Sequence, residues 1–507
     1  MSVATRGIAV DGVVRTRSGA VRGVPDVEVV AFLGIPYAAP LHGALRFQAP
    51  LPAPGWADVR EAREFGVWVP QQAIPSAVSG ATTGELADLR GASGPECLTL
   101  NVWTPRSRHD ADGEGLPVLV WVHGGGFVGG SANTPGFDGT KLARAGVVLV
   151  SVNYRVGYEG FGWVRDAPWN RGVLDQLAAL RWVQDNIAAF GGDPGRVTVF
   201  GQSAGATSIA TVIAGGRAGG VFHRGIVQSP GNVFVPPEEA RAVSTMITEE
   251  LGVAPTAEAL AAVPTGAIHD VQWNPVAVMS ADPEAWSHPN SPYGVVLDGE
   301  LLDELPWAAM RRGVGRSIDL ICGCTAAEAR MFTANLDPVD ADPAGVARGV
   351  GLAPAAVDAY RHARPGITDS DLSTLVLSDA FFRLPAHRSA RAHAEAGGRT
   401  FFYEFDWVGD RVLGAYHGLD QSFVFGLPTG PLGWDLGAQP GEFDTLSTAM
   451  RSAWTQFAAS GDPGWPRYRP DEWLTRIWDL PPTVGVDPTA VSAEIWQRHH
   501  RTATSHR

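Results

Sequence analysis

The stretch "VTVFGQSAGATS", Val197 to Ser208, sets a serine between two glycines where a β-branched run gives way to small residues. A strand that turns at once into a helix leaves room only for residues with little side chain on either flank. It lifts the central hydroxyl clear of the bend. Gly201-Gln202-Ser203-Ala204-Gly205 therefore reads as a nucleophile elbow, with Ser203 as the candidate nucleophile. With 61 Gly in 507 residues the pentapeptide is weak alone, so its supporting parts must be found. A serine hydroxyl attacks a carbonyl only when a base takes its proton, a third group orients that base, and N–H donors meet the developing oxyanion. The Ala204 N–H, opening the helix after the elbow, is one such donor. A second set follows the apolar run in "VLVWVHGGGFVGGS", where Gly124-Gly125-Gly126 lets backbone come close to a bound acyl group and turn its N–H groups inward.

These parts need rigid elements behind them. Short apolar runs at Pro117 to Val122, Gly146 to Val152, Arg196 to Phe200, Gly225 to Ser229, Ile318 to Gly323 and Arg399 to Phe405 read as buried strands. Continuous apolar runs are expected where both faces of a parallel sheet are covered. Between the second and third runs, Val173, Leu174, Leu177, Leu180, Val183 and Ile187 recur at helical spacing, and Gly191 is a C-terminal stop. The alternation predicts an α/β protein of the α/β-hydrolase type, with a large, mostly parallel central sheet flanked by helices. The first hundred residues, richer in β and turn signals, are expected to add antiparallel edge strands. Two stretches, Ala73 to Pro95 and Trp273 to Gly294, show little periodicity and read as loops around a binding site.

Composition narrows the class. The chain is 45% hydrophobic and 18% charged, as in ordinary globular proteins. No long charged or Ser/Gly-rich linker divides it, and residues 1–507 read as a single elaborated domain. A formal net charge of -14 argues against nucleic acid and anionic membrane surfaces. The first residues hold no apolar h-region, so no secretory signal is expected, and no apolar run reaches the roughly 20 residues that span a bilayer. Three cysteines, Cys97, Cys322 and Cys324, suit a reducing compartment, so a cytoplasmic location is expected. The Cys322-Gly323-Cys324 spacing is wrong for a C-x-x-C pair and reads as plain buried thiols. A single lysine, Lys141, among many arginines suggests a bacterial source.

Taken together, the sequence resembles the type-B carboxylesterases, the family of bacterial para-nitrobenzyl esterases and animal cholinesterases. The matching segments run nearly the whole length: "FLGIPYAAPLHGALRF", "CLTLNVWTP", "HGGGF", "VSVNYRVG", "NIAAFGGDPGRVTVFGQSAGA", "GAYHGLDQSFVFG" and "WTQFAASGDP". The resemblance supplies what spacing leaves open. It implies His417, in "GAYHGLDQSF", as the base. It implies Glu328, in "CGCTAAEARMF", as the acid, with Ala329 where the family usually has glycine; Asp406 and Asp319 are fallback acids. The oxyanion donors carry over to Gly125, Gly126 and Ala204.

The implied reaction is hydrolysis of a carboxylic ester through an acyl-enzyme, with neither metal nor cofactor required. Gln202 is neutral where the family commonly has glutamate, which points to neutral small-to-medium esters rather than choline esters. Cys97 lacks the family's upstream disulfide partner, whose place is taken by Val69. Gln202, Phe127, Trp163, Tyr416 and Phe423 lie near the motifs and are candidate pocket residues. A rival with the same machinery would act on carbamates or amides. A non-catalytic binding module is disfavoured by the survival of Ser203, His417 and the glycine loop. The partner is expected to be a small-molecule ester, and the chain a monomer or small homo-oligomer.

Overall fold

The computed structural model describes residues 12–72, 92–106, 115–282, 285–288, 291–334, 341–409, 412–429, 436–439 and 441–500. The loop expected over Ala73 to Pro95 lies outside these residues as far as position 91. An 11-stranded sheet organises the fold. Its strands, numbered along the chain, are β1 (Val24–Pro25), β2 (Val29–Pro36), β3 (Thr99–Pro105), β4 (Leu116–Val122), β5 (Val148–Val152), β6 (Gly192–Gln202), β7 (Arg224–Gln228), β8 (Asp319–Thr325), β9 (Thr400–Phe405), β10 (Leu474–Trp478) and β11 (Thr483–Val486). In space they run β11-β10-β9-β8-β7-β6-β4-β5-β3-β2-β1. From β10 across to β5 every pairing is parallel. The N-terminal strands β3, β2 and β1 add antiparallel to one edge, and β11 adds antiparallel to the other.

The apolar runs work because successive side chains in a strand point to opposite faces. In β4, Val118, Val120 and Val122 join one buried cluster, while Leu119 and Trp121 join another on the far side. The first cluster is covered by helix α1 (Arg171–Asn186), through Val173, Leu177, Leu180 and Val183, and by α2 (Ala204–Ala214). Helix α3 (Leu384–Glu395) covers the same face. The second cluster takes α4 (Leu419–Phe425) and α5 (Glu442–Ser460). Helix α1 is followed by a 3-10 turn, Ile187–Phe190, and stops at Gly191 with φ +85°. A Cβ is disfavoured in that left-handed conformation. Cys322 and Cys324 sit two apart in β8, fully buried as free thiols in the first cluster, which also contains Cys97 and Val69.

The stretch Trp273 to Gly294 departs from its irregular reading, for it contains a short helix, Pro275–Ala281. Proline within a polar run signals a break, but at the first helical turn its missing N–H costs nothing and its fixed φ suits the helix. Among the described residues no helix is long and apolar enough to cross a membrane.

Candidate active site

The carboxyl ends of the parallel strands gather the functional residues on one edge of the sheet, as open α/β sheets do. β6 ends at Gln202, and the next residue, Ser203, adopts φ +56°, ψ -123° before α2 begins at Ala204. A non-glycine residue in that region carries roughly 1–3 kcal/mol of strain. Packing and hydrogen bonds hold it there. The Ser203 N–H donates to the Gln228 carbonyl at the end of β7 (3.0 Å), and the Ser203 carbonyl accepts from the Thr207 N–H at 2.8 Å. The flanking glycines answer to close approach as well as to turning. A Cβ on Gly201 would lie 2.7 Å from the Val122 carbonyl oxygen, and one on Gly205 would collide with that same atom. The elbow is thus wedged against the end of β4.

From β4 the chain passes directly into the glycine loop. Gly125 and Gly126 have φ +118° and +61°, and a Cβ on Gly125 would run into the Gly129 carbonyl. A Cβ on Gly124 would lie 3.1 Å from that of Ser203, which fixes how closely loop and elbow abut. The loop is braced from behind. The Gln71 side chain clamps Gly130 by donating to its carbonyl (2.9 Å) and accepting from its N–H (2.8 Å). Asn153 accepts from Ser131 Oγ and the Ala132 N–H. The N–H groups of Gly125, Gly126 and Ala204 donate to no protein acceptor among the described residues. His123, before the loop, stacks on Tyr154 with ring centroids 4.3 Å apart and uses Nδ1 toward the Gly124 carbonyl. Burial lowers its pKa to about 4, so it is neutral structural material.

Glu328 follows β8 and is fully buried. Its Oε1 accepts the Thr325 N–H at 2.7 Å, and its Oε2 lies 2.5 Å from Nδ1 of His417. The two segments are also joined through their backbones, Ala327 N–H to the Ala415 carbonyl and His417 N–H to the Glu328 carbonyl. The fallback acids lie elsewhere. Asp319 opens β8 at its other end, beside Arg224 and Arg399. Asp406 is exposed after β9, and its carboxyl is raised to about 6 first by desolvation and then by Glu404. On its other nitrogen, Nε2, His417 meets the Gln202 side-chain amide at 2.9 Å. Because Gln202 adjoins Ser203 in the chain, serine, imidazole and carboxylate share one neighbourhood. The Ser203 hydroxyl itself makes no hydrogen bond to His417 among the described residues. Such contacts are often loose before substrate binds.

Among the candidate pocket residues, Gln202 touches the base. Phe127 is fully buried with φ +65° and packs on Phe161 at 4.6 Å. Trp163 lies 6.4 Å from Trp169, and Tyr416 precedes the base in the second core cluster. Phe423 is packed among Phe405, Trp407 and Phe443. Two aromatic residues that sequence reasoning missed flank the imidazole instead: Phe382, 4.0 Å away between centroids, and Phe332, at 6.0 Å. Phe332 stands four residues after Glu328, so it was within reach of the matched segment. Phe382 comes from a π-helical turn, Asp379–Arg383, that opens into α3. A π-turn shifts the register of a helix, and the residues around it carry no sequence signal for it.

An α/β-hydrolase sheet with a serine elbow, a glycine loop abutting it and a carboxylate–imidazole pair defines the class: a serine hydrolase scaffold. The chain belongs to the Carboxylesterase family, whose sequence profile matches residues 10–348 and 353–479. It is 33% identical over 501 residues to the para-nitrobenzyl esterase of Bacillus subtilis (strain 168), covering 94% of this chain and 96% of that protein. With the fumonisin B1 esterase of Sphingopyxis macrogoltabida it shares 34% identity over 480 residues, 89% of this chain and 84% of the other. The crystal structure of a Geobacillus stearothermophilus carboxylesterase at pH 6.2 superposes with a TM-score of 0.81 at 32% identity, covering 96% of this chain and 100% of that one. The protein is a carboxylic ester hydrolase.

Proposed function

We propose that Ser203 attacks the ester carbonyl, that His417 takes its proton and returns it to the leaving alcohol, and that Glu328 orients the imidazole and stabilises its charged form. The N–H groups of Gly125, Gly126 and Ala204 receive the oxyanion of each tetrahedral intermediate. Water then releases the acyl group by the same route. The observation that carries this reading is the 2.5 Å contact between Glu328 and His417, whose other nitrogen faces the residue next to Ser203. The side chain beside the nucleophile is an uncharged amide, which supports neutral small-to-medium carboxylic esters as substrates. Strands from Val24 to Val486 share one sheet, in keeping with one catalytic domain over 1–507. The net charge of -14 and three free buried thiols support a cytoplasmic enzyme that binds no nucleic acid, acting as a monomer or small homo-oligomer. A panel of matched esters, carbamates and amides across acyl and alcohol sizes tests the proposal. Highest kcat/KM is expected on uncharged esters, and a preference for the carbamate or amide of a matched set would overturn it.

A further inference from the structure

Among the described residues, the one hydrogen bond to Nε2 of His417 comes from Gln202 (2.9 Å), not from the candidate nucleophile. The other side of the ring fixes what that contact is. Nδ1 lies 2.5 Å from a carboxylate, an acceptor, so Nδ1 carries the hydrogen and the neutral ring presents a lone pair at Nε2. The amide must therefore offer N–H, and its nitrogen is the atom in contact. Nor is the side chain free to wander. Gln202 is buried, with its Oε1 2.9 Å from where a Cβ on Gly124 would stand and its Nε2 3.2 Å from a Cβ on Gly418. Two glycines, one from the oxyanion loop and one directly after the base, form the slot that holds it.

In its observed orientation the amide donates N–H to a lone pair that only the neutral ring has, whereas a protonated Nε2 carries its own hydrogen and would meet a second donor. A carboxylate in the same slot can only accept, and so favours the protonated ring. We infer that Gln202 is a positioning residue that holds the imidazole of His417 at the elbow in its neutral, proton-accepting form, through a bond that the Ser203 hydroxyl displaces. This deepens the proposed mechanism and rests on it. The consequence is activity that persists into more acid solution than a carboxylate at this position would permit. Among the described residues, the charged groups facing the ring are Glu328 at Nδ1 and the buried Asp420, which accepts from Tyr403 and Gln228. The two aromatic rings beside it, Phe332 and Phe382, are uncharged.

The test is the pH profile of kcat/KM for para-nitrophenyl acetate in the wild type, Gln202→Glu and Gln202→Met. Methionine fills a similar volume without the N–H. The acid limb is expected to move to higher pH in both variants, by roughly one pH unit with glutamate and by less with methionine. A merely structural role would lower the rate at every pH and leave the limb where it is. Should Gln202→Glu fail to fold, the methionine variant decides alone. Unmoved limbs together with an inactive Ser203→Ala would overturn this inference only; full activity in Ser203→Ala would overturn the reading beneath it.

Discussion

Glu328 Oε2 lies 2.5 Å from Nδ1 of His417, although 89 positions separate the two residues in the chain. The carboxylate is fully buried and its other oxygen is already engaged by the Thr325 N–H, so it is held for one partner. Glu328→Gln keeps the shape and the Thr325 contact but lets the ring adopt the wrong tautomer. We expect kcat to fall on the order of 10³–10⁴-fold, with the melting temperature little changed, as read by steady-state kinetics and circular dichroism on the same preparation. A loss below about tenfold would remove Glu328 from its proposed role.

The glycine loop gives a second test. A Cβ on Gly125 collides with the Gly129 carbonyl, and φ +118° strains any other residue. Gly125→Ala should displace the loop's N–H groups and lower kcat by roughly 10²–10³-fold, the usual consequence of losing an oxyanion donor. KM should change far less. Near-normal kcat would show that the oxyanion is held elsewhere.

Much of this was legible locally, and the reasons are physical. Ser203 and Gly124-Gly125-Gly126 announce themselves because close backbone approach leaves a signature in neighbouring residues: only glycine fits beside the Val122 and Gly129 carbonyls. The alternation of strand and helix showed the same way, since β4 must feed two apolar faces. By contrast, the meeting of Glu328 and His417 joins two loops at the ends of the sheet, and family resemblance rather than spacing pointed to it. Phe382 was invisible because a π-turn re-aims its ring toward His417. The helix Pro275–Ala281 was missed because its opening proline reads equally well as a break.

The thiols bear on redox behaviour. Cys97, Cys322 and Cys324 are free and buried, and desolvation pushes each above the ordinary thiol range. A thiol-specific reagent should label none of them in the native protein and all of them after denaturation. Activity and melting temperature should be unchanged in dithiothreitol; a large loss in reductant would contradict the free-thiol state.

Acid should weaken the fold through neutral histidines, His123 buried and His288 partly buried. His123 and His288 are both lowered to about 4 by desolvation, against 6.5 for the free group. The unfolded chain takes up protons below 6.5 that the folded chain refuses until about 4, so their contribution to stability declines as pH falls through that window. The urea midpoint should drop accordingly between pH 6.5 and 4. His288→Gln, which keeps a donor for the Phe234 carbonyl, should flatten part of the slope. An identical slope in the variant would show that His288 is not held neutral by the fold.

The central claim is that one hydroxyl, held at the elbow in a strained backbone conformation, carries the acyl group. Trapping the protein with a fluorophosphonate, digesting it and locating the adduct by mass spectrometry measures this most directly. The expected result is a single adduct on Ser203, absent from Ser203→Ala, with para-nitrophenyl acetate hydrolysis in that variant reduced by about 10⁴-fold or more. An adduct on another residue, or a Ser203→Ala enzyme that hydrolyses the ester at the wild-type rate, would contradict it.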